Sequence, residues 1–328
     1  MKSMLKAISI IVLIILSGFT VVSCAVGEKA PAGGEITQEK TDGESLVEAT
    51  MEKVQGESQI SGEISNTEPV DEGHIMIANI GDFRFNPRDI KTVREDIFLK
   101  GQFSIFDILV HLDDSGQIKM DYHFDEDMNT HVIDSINDRN FWWHVAYYDG
   151  GWPERNVFRA DHYPYKDRMY ISIIEVEERE VDAYYEVFRD EIKRKNDNDG
   201  KIIVPEVIIN GPKGGRLVFE NIEVKPHDLR DDMFIAGTIT AIDAILTLGD
   251  EARLRYELNW YESVGTAGIV KNYFVDGIND DISSGRCGFV YEEGSLTYNG
   301  FAGNHIHIPS DARVINSPEY IEYFWICI

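Results

Sequence analysis

From residue 74 onward, the spacing of apolar and polar positions predicts many short strands and few helices. Apolar residues recur at helical spacing over 105–112 and again over 242–248. After each of these helices the apolar period changes to two, which predicts half-buried strands over 118–124 and 254–260. Further strands are predicted over 75–80, 83–86, 131–136, 141–148, 170–176, 202–209, 217–224, 269–275, 287–292 and 319–327, and a longer helix over 177–195.

Two stretches of the chain match each other at a nearly constant offset, which indicates an internal duplication. The matched pairs are Asp96 with Asp232, Phe98 with Phe234, Gly101 with Gly237 and Asp107 with Asp243. Ser104 and Thr240 each stand three residues before an aspartate, the spacing of a helix N-terminal cap. We therefore predict an α+β protein of two tandem units, repeat 1 over 74–212 and repeat 2 over 213–328. In each unit a short helix packs on a mainly antiparallel sheet.

The repeated unit also carries a longer order of motifs: the capped helix, the strand at 118–122, the segment at 132–137 and the tryptophan-bearing strand at 142–145. This order resembles a family of extracellular domains related to the C-terminal domain of transcobalamin, the cobalamin carrier. The resemblance implies a small β-grasp-like domain in each repeat. The Asn-Gly turn of that family is absent here, because Asp149-Gly150 stands in its place. Corrinoid binding does not follow, since fold alone does not imply function.

The N-terminus has the order of a bacterial export signal. Lys2 and Lys6 precede an apolar run over 7–16, and small residues lead to Cys24. This order resembles the lipobox of lipoproteins, in which the cysteine becomes the lipidated first residue. The alternatives are a plain secretory signal or a membrane helix, but a span needs about 20 apolar residues. We expect a signal peptide over 1–23, palmitate or a related acyl chain on Cys24, and a protein anchored at the extracytoplasmic face of the cell membrane.

Composition changes this picture in three ways. Residues 24–73 contain no aromatic residue and many carboxylates, which predicts a disordered acidic tether. The net charge of −27 argues against nucleic acid as a partner. With Cys24 assigned to lipid, Cys287 and Cys327 remain, and they form either a disulfide or two buried thiols.

The densest aromatic segment is 141–156, and it supplies the candidate binding face. Strand alternation sends Trp142 and Tyr148 to one face and Trp143 to the other, so one set can be exposed. Exposed aromatic rings suit stacking against a sugar, a peptide or a flat ligand. The predicted ligand-binding residues are Trp142, Tyr148 and Trp152, with His162 and Tyr163 in an adjacent rim loop. The alternatives are a strand buried on both faces and a contact between the repeats.

Evidence for other chemistry is weak. His305 and His307 lie two residues apart and could start a metal site, but no third ligand has a fixed local spacing, so a surface strand is the simpler interpretation. No sequence motif indicates a cofactor, and the common hydrolase and phosphate-binding motifs are missing. Numerous carboxylates leave paired-carboxylate catalysis open.

The sequence therefore favours a membrane-anchored extracytoplasmic binding lipoprotein over an enzyme. Its expected partners are the lipid bilayer, through Cys24, and an unknown small molecule, glycan or envelope protein. The first alternative is a structural or adhesion module that contacts cell-wall polymer or an envelope protein. The second is a cell-envelope hydrolase.

Overall fold

The computed structural model describes residues 72–147, 159–264, 268–296 and 309–327, and for 144–147 it describes the backbone alone. The predictions for the signal peptide, Cys24 and most of the tether lie outside these residues. All the described residues belong to one compact unit, Ser65–Ile328.

The described residues form an α+β fold. The strands are β1 (Gly73–Ile77), β2 (Gly81–Phe85), β3 (Met120–Asp125), β4 (Thr130–Ile136), β5 (Trp142–Tyr147), β6 (Tyr170–Glu175), β7 (Ile203–Gly211), β8 (Gly215–Glu223), β9 (Tyr256–Tyr261), β10 (Asn272–Ile278), β11 (Asp281–Ile282), β12 (Cys287–Gly294) and β13 (Tyr320–Cys327). The helices are α1 (Ile105–Asp114), α2 (Glu178–Asp197) and α3 (Asp243–Asp250). Each predicted strand and helix is confirmed in type, and β11 is an addition too short to show a periodic pattern. We call the part through α2 the N-terminal half and the part from β7 onward the C-terminal half.

The N-terminal half is built on a four-stranded sheet in the order β2-β1-β6-β5. β1 runs antiparallel to β2 and parallel to β6, and β6 runs antiparallel to β5. The apolar stripe of α1 is fully buried in the same core as β1 and β6, and β3 and β4 form a separate hairpin. Burial of this stripe is the main stabilising contribution of the helix.

The C-terminal half has a four-stranded sheet in the order β12-β13-β7-β8. β7 runs antiparallel to β8 and parallel to β13, and β13 runs antiparallel to β12. α3 follows β8, and β9 pairs with β10. Counted from its other edge, the C-terminal sheet has the order β8-β7-β13-β12, which corresponds to β2-β1-β6-β5. The two halves thus share strand order, strand directions and the place of the helix. The repeat boundary expected after residue 212 falls in the turn between β7 and β8. It therefore separates β7 from β8 and β13, the two strands with which β7 pairs.

The two helix caps are related but not identical. Ser104 forms a capping box: its hydroxyl accepts from Asp107 N at 3.2 Å, and the Asp107 carboxylate accepts from Ser104 N at 2.6 Å. Asp243 likewise accepts from Thr240 N at 2.7 Å. The regular part of α3 nevertheless begins only at Asp243, because the amides of Asp243, Ala244 and Ile245 donate to carbonyls three residues back, which makes the first turn a 3₁₀ turn.

A disulfide joins the two strands at one end of the C-terminal sheet. Cys287 of β12 and Cys327 of β13 lie directly opposite each other, and their sulfurs are bonded. Of the two alternatives that the sequence leaves open, the structure has the disulfide.

None of the helices in the described part of the chain combines the length and the apolar character that a membrane span requires.

Candidate functional site

The aromatic strand β5 is buried on both of its faces. Trp142 lies in the core formed with α1, and its indole N–H donates to Arg139 O at 2.7 Å. Trp143 points to the opposite side and packs on α2, with its ring centroid 4.4 Å from that of Tyr184. The alternation of the two tryptophans is confirmed. The expectation that Trp142 faces solvent is wrong, because α1 covers its face of the strand and α2 covers the other.

The predicted rim loop is also part of the interior. His162 and Tyr163 are almost fully buried, so neither presents a side chain to solvent. A small cavity beside Trp142 and Trp143 has about 30 Å³ of space for water. Ligand pockets usually measure roughly 300–1,000 Å³, so this cavity is too small for a ligand. Tyr148 and Trp152 lie outside the described residues.

A buried aspartate organises the polar interior of the N-terminal half. The fully buried Asp161 accepts from Arg94 at 2.8 Å, from His131 N at 2.9 Å and from the Thr130 hydroxyl, and His162 Nδ1 lies 2.8 Å away. Burial by itself would raise the pKa of this carboxyl. The two neighbouring histidines and Arg94 outweigh burial and hold the pKa of Asp161 well below its usual range. Asp161 is therefore ionised and ties the segment around Arg94 to β4.

The C-terminal half repeats this arrangement around Asp311, which is also fully buried. Asp311 accepts from Arg230 at 3.0 Å, from Tyr273 N at 2.9 Å and from the Asn272 amide. Arg230 thus takes the place of Arg94, and β10 takes the place of β4. The residue after Asp311 is Ala312, where the N-terminal half has a histidine.

Each buried arginine also holds an exposed aspartate. Arg94 donates to the two carboxylate oxygens of Asp96 at 2.8 and 2.7 Å, and Arg230 donates to those of Asp232 at 2.7 and 3.0 Å. The aspartate side chains are 63% and 57% exposed, whereas both arginines are buried. The hydrogen bonds from Arg94 lower the pKa of Asp96. The arrangement therefore fixes a carboxylate at the surface of each half.

An exposed aromatic ring lies over each arginine. The guanidinium carbon of Arg94 is 5.6 Å from the centre of the Phe124 ring, and that of Arg230 is 5.4 Å from the Trp260 ring. Both distances suit a cation–π contact. Phe124 is 43% exposed and Trp260 is 38% exposed, although both are large apolar side chains.

Each exposed ring is braced by a neighbour across the hairpin. Phe124 packs edge-on against His131, with ring centroids 5.0 Å apart, and Trp260 packs edge-on against Tyr273, also at 5.0 Å. We call Tyr122, Phe124 and His131 the Phe124 surface, and Trp260 with Tyr273 the Trp260 surface. In both surfaces an exposed ring packs on a buried arginine and on a cross-strand ring, and together the two surfaces are the candidate functional site.

The sequence contains a signal for these surfaces that the aromatic density of 141–156 obscures. An arginine stands two residues before each matched aspartate, at Arg94 and Arg230. Phe124 and Trp260 are separated along the chain by the same number of residues as Asp96 and Asp232. Two residue types at equal spacing, one cationic and one aromatic, indicate a contact that occurs in both halves.

The two halves meet at a short antiparallel bridge. The backbones of 97–99 and 233–235 each donate one N–H to the other, at 3.0 and 2.9 Å. The rings of Phe98 and Phe234 lie 5.6 Å apart at this point and belong to one hydrophobic core. Because the hydrogen bonds are reciprocal, the junction has local twofold character.

Polar side chains also cross between the halves. Lys166 of the N-terminal half donates to the Asn272 side chain and to Val270 O at 3.1 Å. In the opposite direction, Asn316 accepts from the Asn129 side chain at 3.0 Å and lies 3.4 Å from His162 Nε2. The halves are therefore linked by exchanged polar contacts as well as by the core.

Buried Lys166 should make stability depend on pH. Burial lowers its pKa from 10.5 to about 7, against the attraction of Asp311 and Asp232 and with the repulsion of Arg230 and Lys271. Between these values the unfolded chain binds more protons than the folded chain, so stability should rise with pH. The slope is at most about 1.4 kcal/mol per pH unit for one proton. Urea unfolding from pH 7 to 9.5 measures it.

The matched variants are Lys166→Met and Lys100→Met, of which the second removes an exposed lysine. Lys166→Met should flatten the pH dependence, while Lys100→Met should leave it unchanged. Equal slopes in wild type and Lys166→Met would contradict the assignment.

Within the described ranges, no group of three or more His, Cys, Asp or Glu side chains is placed to hold a metal ion. His305 and His307, the weak metal candidates, lie outside those ranges. No protein-family model, curated protein or solved structure matches the chain.

Proposed function

We propose that this protein is a lipid-anchored extracytoplasmic binding protein made of two tandem β-grasp-like units. The common strand order of the two sheets supports the duplication, as does the common parallel pairing of first and last strands. The networks around Asp161 and Asp311 support it independently, because their donors come from corresponding elements. The export signal ending at Cys24 supports the location.

The observation that carries the binding function is the matched pair of exposed rings, Phe124 and Trp260. Single exposed apolar side chains are common on protein surfaces and need no explanation. Here the same exposure occurs at matched positions, and a buried arginine and a cross-strand ring hold each aromatic in place. A rigid ring loses little conformational entropy when it stacks on a ligand. The Phe124 and Trp260 surfaces are therefore suited to recognition.

Removing the two rings together should abolish ligand binding. The full chain should co-sediment with cell-wall material from its source, and Phe124→Ala/Trp260→Ala should lose that binding, because each exposed ring supplies about 1–3 kcal/mol of contact. The assay compares the bound fractions of wild type and variant at equal protein concentration.

Tyr170→Ala is the matched control, since Tyr170 is 39% exposed but lies outside both surfaces. It should bind as wild type does. Binding that survives in the double variant, or that falls equally in the control, would contradict the proposal.

Lipid attachment at Cys24 has its own test. Cys24→Ser removes the thiol to which the acyl chains would be attached. The protein should therefore lose the acyl mass and move from the membrane fraction to the soluble fraction, because buried acyl chains supply the anchoring free energy. Fractionation and intact mass spectrometry measure both changes. An unchanged mass and membrane fraction in the variant would refute lipidation.

A further inference from the structure

We propose that the Phe124 and Trp260 surfaces bind a neutral polysaccharide and engage the polymer at the same time. This inference rests on the proposed binding function and adds the class of ligand and the number of contacts. It follows from three properties of the two surfaces: their charge, their duplication and the rigid junction between them.

The charge of both surfaces favours a neutral, hydroxyl-rich ligand. The exposed carboxylate of Asp96 binds the same guanidinium that Phe124 covers, and that of Asp232 binds the guanidinium that Trp260 covers. The Trp260 indole N–H donates to the carboxylate of Glu262 at 2.8 Å. With a net charge of −27, the chain repels anionic polymers. Carboxylates beside an aromatic ring accept hydrogen bonds from hydroxyls while the ring covers an apolar sugar face.

The duplication favours a ligand that repeats. One aromatic surface is enough to bind a single small molecule. Two similar surfaces in one chain instead suit a polymer, whose repeated units can each contact one surface. A polysaccharide offers an apolar ring face and flanking hydroxyls at every residue. Stacking on a ring face does not require one chain direction, so two such surfaces can both stack on the same polymer whichever way the chain runs.

The junction directly joins the two chain segments that carry the arginines of the surfaces. Phe98 N donates to Arg94 O at 2.9 Å, and Phe234 N donates to Arg230 O at 2.9 Å, so each arginine lies one turn from the bridge. Phe98 and Phe234 share one core. Because the second contact is intramolecular and pre-organised, a long polymer should bind about 10²-fold more tightly than a short fragment.

Titration calorimetry on the full chain tests this proposal. The probes are a soluble neutral β-glucan and a soluble neutral mannan, each as long polymer and as fragments of about three sugars, and anionic polygalacturonate. At least one neutral polymer should bind about 10²-fold more tightly than its fragments. Phe124→Ala and Trp260→Ala should each reduce polymer affinity to that of the fragment, and the double variant should not bind. Tyr170→Ala should behave as wild type.

Equal affinity for polymer and fragment, unchanged polymer affinity in a single variant, or preference for polygalacturonate would overturn the inference. Failure of both neutral polymers would overturn it as well. If ring-dependent binding to cell-wall material persists in that case and is lost after protease treatment of the wall, the partner is a protein and the proposed function stands. If ring-dependent wall binding is also missing, the proposed function fails too.

Discussion

Asp161→Ala is expected to lower the free energy of unfolding by about 3–5 kcal/mol, the usual cost of leaving a buried charge without its partner. The substitution removes the buried acceptor shared by Arg94, His131 N and the Thr130 hydroxyl, although Arg94 keeps Asp96. Asp311→Ala should have a similar effect, because Asp311 accepts from Arg230 in the same way. Urea unfolding of the full chain measures both losses.

The control keeps the same arginine and removes its exposed partner. Asp96→Ala should cost only about 1 kcal/mol, because the Asp96 carboxylate is largely exposed and Arg94 keeps its buried partner Asp161. Asp232→Ala should behave likewise in the C-terminal half. If Asp96→Ala and Asp161→Ala were equally destabilising, burial of Asp161 would not be the cause.

Trp142→Ala and Trp143→Ala are each expected to cost about 3–5 kcal/mol, from lost burial and the cavity left behind. The first change empties the core beneath α1 and leaves Arg139 O without the indole donor. The second removes the ring that packs on Tyr184 and Phe188 of α2. Thermal and urea unfolding should show similar losses for the two variants.

Tyr170→Ala, on the neighbouring strand β6, is the control, and it should cost much less because its side chain is exposed. A near-neutral Trp142→Ala variant would show that this face of β5 is open in solution. That result would restore Trp142 as a candidate ligand contact.

Local sequence patterns predict the elements of this fold well. The two-residue apolar period over 118–124 and the three-to-four-residue period over 105–112 correspond to β3 and α1. The Ser104 and Asp107 pair predicts the capping box that begins α1. These features depend on residues close in sequence, so local physics determines them.

Exposure could not be predicted in the same way. Alternation places Trp142 and Trp143 on opposite faces, but it does not show that α1 covers one face and α2 the other. The Phe124 and Trp260 surfaces depend on contacts between residues far apart in sequence. Arg94 binds Asp161, 67 residues along the chain, and Arg230 binds Asp311, 81 residues along the chain. No periodic pattern contains such pairs.

The indole N–H resonances of the isotope-labelled full chain offer the most direct test of ligand contact at the aromatic surfaces. Soluble fragments of the source cell wall should shift the Trp260 resonance, because its ring is exposed and its N–H donates to Glu262, which is also exposed. The Trp142 resonance should stay in place, because its N–H is buried against Arg139 O. Trp260→Phe assigns the signal. A shifted Trp142 resonance with an unmoved Trp260 resonance at saturating ligand would contradict the account.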